Sequence, residues 1–382
     1  MDYDVVVVGA GAMGLSAAYW CQKSGLKTLL LDQYQMFHSK GSSHGESRII
    51  RLSYSEPFYI DMMREAYRLW EKLENESGSK LLFRKGGLDF GREDDGGLKK
   101  VLDAHKQANL PNEVLDFKEM KRKFPQFNVD ENYIGVYQAD SGIVNPDLTL
   151  RALCNLFLEQ GGKYKSLSPV QSINRVSERY KIQTPLESYF ASHIILAVGS
   201  WINPFLSKLE MKADVSVWGL TYAFWKTMTH DINYKTMPIF IHWDSEIHYG
   251  FPEFEKEGFI KVATHISPVI PEIDPNEAQK SLHQEQLFST AKFIQKRMNG
   301  ISPIPSGSTN CRYTMTRNEN FILGKLPHHE NAIVAAGFSG HGFKFTPLVG
   351  KLLSELVQGL KPQFDLSPFD PIEFIHEKNS KF

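Results

Sequence analysis

The sequence predicts a mixed architecture, α/β plus α+β. A domain built on a parallel sheet is assembled from separated pieces of chain, and a second domain built on an antiparallel sheet is inserted into it. Three observations predict this. A β-branched run followed by three spaced glycines opens the chain, and a second strand, glycine loop and helix recur at 332–359. Between them lies a stretch, about 215–265, dominated by aromatic and β-branched residues. A single core seldom grows past about 250–300 residues, so a chain of 382 residues is expected to form two domains.

The first element is the run DVVVV at 4–8, apolar throughout as a strand buried on both faces should be. Gly9, Gly11 and Gly14 follow at GxGxxG spacing, a helix-compatible segment runs from Leu15 to Ser24, Gly25 stops it, and TLLLD supplies a second strand ending in Asp32. A strand, turn, helix and strand within about thirty residues is the Rossmann-like unit that binds dinucleotides. Gly9 allows the tight turn, Gly11 lets a pyrophosphate approach the backbone, and Gly14 brings helix and strand together. The unpaired N–H groups of the helix N-terminus then face the phosphates. Asp32, eighteen positions beyond Gly14, is suited to accept both hydroxyls of an adenosine ribose and would repel a 2′-phosphate. The spacing leaves FAD and NAD undistinguished.

Further along, Phe58, Met62, Ala66, Leu69, Trp70 and Leu73 make a helical stripe over 58–76, and the polar stretch GREDDGGLKK reads as a loop. HIILAVGS (193–200) is a buried strand ending in a tight turn, and 215–265 reads as an antiparallel sheet. Near the C-terminus AIVAAG (332–337) is a strand, and FSGHGFKF leads from it into a helix starting at Thr346-Pro347. There Thr is a good N-cap and Pro suits the first turn. Leu348, Leu352, Leu353 and Leu356 form the apolar face of that helix and Gly359 ends it. The resulting division assigns 1–80, 146–214 and 308–382 to the dinucleotide domain and 81–145 and 215–307 to the substrate domain.

Composition narrows the function. A formal net charge of −1 offers no field for nucleic acid and no charged tail for a partner. Three cysteines cannot pair completely, and none has CxxC or Cys/His metal spacing, so a reducing compartment and no metal are expected. The apolar run near the start is broken by glycines and lacks a basic flank, so neither a signal peptide nor a membrane span is expected. A cytoplasmic setting follows, with the peroxisome as the alternative suggested by Ser380-Lys381-Phe382.

Four stretches carry candidate chemistry. GSSHGESRIIR (41–51) packs His44, Arg48 and Arg51 just past the second strand, where arginine forks suit a carboxylate or phosphate. In GFIKVATH (258–265) alternation sets Lys261, Ala263 and His265 on one face; read alone, Lys261 is a lysine turned to water. GHGFKF (340–345) offers His341 and Lys344 in a loop before a helix. SGSTNCRYTMT (306–316) holds Cys311 in what reads as a polar turn, an unusual setting for a thiol.

Taken together, these fragments resemble the flavin amine oxidases of the monomeric sarcosine oxidase and N-methyltryptophan oxidase family, over essentially the whole chain. The resemblance rests on VVVVGAGAMGLSAAY, GSSHGESRIIR, ILAVGSW, HYGFP, the C-x-Y-T around Cys311 and GFSGHGFKF, in the family's order. It implies FAD, held by Gly9, Gly11, Gly14 and Asp32 at its ADP half and by Ser43, His44, Arg48 and the loop of Gly340, His341 and Gly342 near the ring. It also implies a thioether from Cys311 to the 8α-methyl carbon of the flavin. A thiolate is the attacking form, and Arg312 and Arg317 are candidates for the nearby positive charge that would favour it. The family often continues T-P-D-E-H-F, whereas this chain has Thr316-Arg317-Asn318-Glu319-Asn320-Phe321.

The resemblance further makes Arg51 and Lys344 a clamp for a substrate carboxylate, Tyr249 and His265 walls of the substrate cavity, and Lys261 the lysine that promotes reaction with oxygen. The implied activity is oxidation of secondary amino acids, sarcosine or N-methyl amino acids, by a monomer whose partners are a small amino acid and oxygen. Oxidases of cyclic imino acids or fructosyl amino acids share the motifs, and so does a same-fold dehydrogenase with another acceptor. Phe240, Trp243 and His248 are candidates for accommodating a bulkier substrate.

Overall fold

The computed structural model describes residues 2–230, 232–267, 270–277 and 283–377; Ser380, Lys381 and Phe382 lie outside them. The opening run forms the strand Asp2–Val8, which pairs in parallel with Thr28–Leu31 on one side and Ser188–Leu196 on the other. Lys163–Lys165 extends the parallel sheet beyond Thr28–Leu31, and His329–Ala336 extends it beyond Ser188–Leu196. Segments from the beginning, the middle and the end of the chain thus lie side by side in one sheet.

Pleating explains why this sheet needs apolar residues throughout. Val5 and Val7 fall into one core with the helices Ala12–Lys23, Pro57–Ser77, Pro146–Glu159 and Thr346–Val357. Val6 and Val8 fall into another, with Ile173, Tyr180, Phe205 and Phe374. Alternate side chains feed opposite faces, and each fully buried valine contributes roughly 1.5–3 kcal/mol.

A second eight-stranded sheet is ordered Ile301–Thr316, Val215–Thr227, Phe259–Ile266, Ile247–Phe251, Ile239–Trp243, Gly87–Arg92, Tyr133–Gln138, Glu113–Leu115. The expected antiparallel pairing holds from 215 to 266, but Ile239–Trp243 joins Gly87–Arg92 in parallel, so the sheet is mixed. The longest pairing in the molecule joins Val215–Thr227 to Ile301–Thr316, from Val215↔Thr316 to Thr227↔Ile301.

Four local expectations are corrected. GREDDGGLKK is not a loop: Gly91 and Arg92 end a strand and Gly96 starts the helix Gly96–Gln107, because Asp95 accepts hydrogen bonds from the N–H groups of Gly97 and Leu98 as an N-cap. SGSTNCRYTMT is not a turn but the second half of Ile301–Thr316. Its small polar residues are tolerated because Val215–Thr227 satisfies the backbone, with Cys311 opposite Leu220. Thr346 is the first helical residue rather than the cap, its hydroxyl donating to the Phe343 carbonyl at 2.6 Å. Phe240 and His248 belong to the core of the second sheet, where both meet Phe293 in stacked pairs, so only Trp243 of the three reaches a cavity.

Candidate active site

The glycine turn builds the first cavity. Gly9 has φ +99°, and a Cβ there would sit 2.4 Å from the Ala197 carbonyl oxygen. Gly14 packs its helix onto the same turn so closely that a Cβ would come within 1.7 Å of the Gly9 oxygen. Asp32 ends its strand buried: one oxygen accepts from the Ala10 N–H at 2.7 Å and the other from the Tyr34 N–H at 2.8 Å. Each oxygen retains acceptor capacity for a further donor. Ser43 Oγ accepts from the Ala12 N–H at the mouth of the helix.

These groups open onto a cavity of about 590 Å³, lined among others by Gly9, Gly11, Asp32, Ser43, Gly340 and Gly342. Tyr164 Oη is buried on its wall with no hydrogen-bond partner among the described residues. A glycine cradle, a helix N-terminus and an acidic ribose acceptor fit a dinucleotide such as FAD, and the unpaired Tyr164 hydroxyl leaves a donor free on the wall for it. Gly14 serves from behind rather than lining the space.

A second cavity of about 470 Å³ is lined by Arg51, Tyr249, Lys261, His265, His341 and Lys344, among others. The two spaces meet, since Arg48, Cys311, Tyr313, Gly340 and Phe343 line both. His44 lines neither; its carbonyl accepts from Arg48 Nη2 at 2.7 Å and so braces that arginine.

Two cations face the ring of Tyr54, with Arg51 and Lys344 each 5.2 Å from its centroid. Lys344 Nζ donates to Tyr54 Oη and to the His341 carbonyl, both at 2.9 Å. Trp70, completely buried on the helix Pro57–Ser77, donates to the Lys344 carbonyl at 2.7 Å and fixes the loop from behind. Burial, then the Arg51 charge, pushes the Lys344 ammonium well below the usual lysine range. His265 lies 3.4 Å from Tyr313 Oη and is pushed down to about 4, first by burial and then by Arg51 and Lys344. The site is electropositive and largely dry, an arrangement that receives a carboxylate.

Lys261 is buried rather than turned to water. Burial lowers it to about 8, while its ion-pair partner Glu255 pulls the other way. Arg312 lies within electrostatic reach of Cys311 on the wall of the first cavity while donating to the carbonyls of Pro275 and Glu277. Arg317, on the wall of the second, pairs with Glu373. Arg48, Arg51, Lys261 and Lys344 also share the second cavity with Cys311, and Lys261 is within its electrostatic reach.

Sequence reasoning missed Asp89, Glu255 and Tyr54. Asp89 had a usable signal, a lone acid inside the apolar run GGLDFG. Glu255 had none, being one of three glutamates in EFEKE.

A parallel sheet with a glycine turn, joined to a buried cationic cavity beside a second sheet, defines a dinucleotide-dependent oxidoreductase. The chain belongs to the FAD dependent oxidoreductase family, which matches residues 4–356. It is 33% identical over 377 residues to the peroxisomal sarcosine oxidase of Homo sapiens, covering 96% of this chain and 95% of that one. It is 33% identical over 376 residues to the monomeric sarcosine oxidase of an Arthrobacter species, with the same coverage. It is also 30% identical to the N-methyl-L-tryptophan oxidase of Salmonella agona, over 97% of this chain and 98% of that protein. Among solved structures it resembles NikD, an unusual amino acid oxidase essential for nikkomycin biosynthesis. That match, to the open form of a Tyr258Phe mutant, has a TM-score of 0.87 at 24% identity and covers 97% of each chain.

Proposed function

We propose that the protein oxidises secondary amino acids, sarcosine or N-methyl amino acids, releasing formaldehyde, the primary amino acid and hydrogen peroxide. One observation carries this reading: Arg51 and Lys344 converge on one cavity that meets the dinucleotide cavity at Cys311. FAD bound there would supply the acceptor for a hydride equivalent from the substrate's N-methyl carbon and a route for those electrons to oxygen, and water would hydrolyse the resulting imine.

The chain's own residues do the rest. Arg51 and Lys344 grip the carboxylate and so fix the amine and its C–H bond in one orientation. Tyr249, His265 and the aromatic wall exclude water, and His265 stays neutral and adds no competing charge. Lys261 supplies an ammonium that favours the anion formed when oxygen is first reduced. Gly9, Gly11 and Asp32 would hold the ADP half with Gly14 packing the helix behind them, while Ser43, Arg48, Gly340, His341 and Gly342 would hold the ring, with His44 bracing Arg48.

Cys311 would tether the flavin through a thioether to its 8α-methyl carbon. That bond would replace the thiol proton and one methyl hydrogen, with oxygen as the oxidant taking up both with their electrons as hydrogen peroxide. The segments 1–80, 146–214 and 308–382 make up the FAD domain, with 81–145 and 215–307 as the substrate domain of a monomer.

The test is a substrate panel with peroxide detection under air and no added acceptor. Peroxide with N-methyl amino acids supports the reading. Turnover confined to cyclic imino acids moves the substrate class, and turnover only with an added acceptor dye makes the protein a dehydrogenase.

A further inference from the structure

Glu255 lies in the loop between the strands Ile247–Phe251 and Phe259–Ile266, six residues before Lys261. Its side chain is 11% exposed and that of Lys261 is 5% exposed, so the ion pair between them is sheltered from water. Ser47 grips both partners. Its hydroxyl donates to Glu255 Oε1, and its carbonyl accepts from Lys261 Nζ at 3.2 Å. Since Lys261 also donates to Glu255 Oε1, the three residues close a ring of hydrogen bonds.

The ammonium also meets aromatic rings, a cation and a thiol among the described residues. Phe251 and Tyr222 present ring faces at 4.5 and 4.9 Å. Arg48 and, more distantly, His44 add positive charge or the capacity for it, and Cys311 lies within electrostatic reach. Burial and Arg48 both drive the proton off Lys261, and the carboxylate opposing them is that of Glu255.

We propose that Glu255 is a positioning residue for Lys261: gripped by Ser47, its carboxylate fixes where the ammonium sits and keeps the proton on it. Of three N–H groups, Ser47 and Glu255 take two among the described residues, which leaves one for the cavity. The ion pair is therefore a way of keeping a desolvated cation charged at neutral pH. This inference rests on the proposed role of Lys261 in reaction with oxygen.

The experiment measures flavin reoxidation by oxygen against pH in the flavin-loaded wild type, Glu255→Gln and Lys261→Met. It also follows the thermal midpoint of each against pH by far-ultraviolet circular dichroism. In the wild type, reoxidation is expected to slow as pH rises through about 8, where Lys261 loses its charge. In Glu255→Gln that fall moves at least about 1 pH unit lower. The midpoint deficit of Glu255→Gln opens as pH falls below about 8, because the wild type then takes up a proton that the variant resists. In the Lys261→Met background, Glu255→Gln shifts neither the profile nor the midpoint in this pH-dependent way.

An unshifted reoxidation profile together with a pH-independent midpoint deficit overturns the inference and leaves the oxygen role of Lys261 standing. Unchanged reoxidation in Lys261→Met instead sinks that role, and the midpoint data then still decide whether Glu255 holds the ammonium. If Glu255→Gln does not fold, Ser47→Ala, which removes only the hydroxyl grip, is judged by the same two readouts with a smaller shift.

Discussion

Arg51 Nη1 lies 3.0 Å from Oδ1 of Asp89, and the same oxygen accepts Trp243 Nε1 at 2.9 Å. The other oxygen accepts Ser53 Oγ at 2.8 Å, and Ser53 is in turn 3.1 Å from His105 Nε2. One buried carboxylate therefore fixes a cation and an indole on the wall of the second cavity. Replacing it strands the Arg51 charge away from water. Asp89→Ala is expected to cost about 3 kcal/mol of stability, measured by urea unfolding, and to raise KM for the amino acid substrate. A loss below about 1 kcal/mol would show that Arg51 finds water instead.

Carboxylate binding should draw in a proton. Burial and the Arg51 charge hold the Lys344 ammonium well below its usual range in the empty clamp, and an anion between them reverses that. Affinity for a simple monocarboxylate such as propionate is expected to fall as pH rises through the lowered value. Titration calorimetry at pH 8 in two buffers of different ionisation enthalpy reads the proton directly. Identical heats in both buffers would mean that Lys344 is already charged. In Lys344→Met the uptake should vanish.

Acid should destabilise the fold through its buried histidines. His242, His248 and His265 are pushed down to about 3, 4 and 4, mainly by burial, from an unfolded value near 6.5. The groups are neutral inside and charged once unfolded. Their contribution is complete above about pH 6.5 and is lost as pH falls toward 4, at roughly 1.4 kcal/mol per histidine per pH unit. His248→Phe, which keeps the stack on Phe293, should flatten this acid limb in unfolding measured at pH 7, 6 and 5. An equally steep limb in that variant would assign the protons elsewhere.

Cys311 decides where the yellow colour goes. Acid precipitation of the purified protein should leave flavin in the washed pellet, and Cys311→Ala should release it to the supernatant. Release from the wild type as well would leave FAD binding intact and remove the thioether.

The parallel sheet was legible because its physics is local. A strand buried on both faces must be apolar at every position, and Gly9 and Gly14 sit where only hydrogen leaves room. The C-terminal strand and loop were legible for the same reason. Trp243 and Phe240, two strand aromatics three residues apart, could not be told apart, because which one meets a cavity depends on sheet partners far away in the chain. Cys311 looked like part of a turn because small polar residues read as loop, whereas long pairing with Val215–Thr227 makes a strand of them. The ionic partners were the least legible. Asp89 and Arg51 lie 38 positions apart and Ser47 and Glu255 lie 208 apart, so no spacing announces them.

The long ladder between Val215–Thr227 and Ile301–Thr316 has a mechanical consequence. One end lies where the Met228 N–H donates to the Gly300 carbonyl, and the other runs past Cys311 to Thr316, where the Thr314 carbonyl accepts from the Ser339 N–H of the glycine-rich loop. The ladder, irregular between Ala223 and Thr227, therefore ties the walls of both cavities together near Cys311. Its regular part, from Val215↔Thr316 to Ala223↔Ser308, holds Cys311 opposite Leu220, so the junction of the two cavities is fixed to the second sheet. The exposed rim of the second cavity, where Glu56, Arg317 and Glu319 stand, is built instead from loop residues outside this ladder.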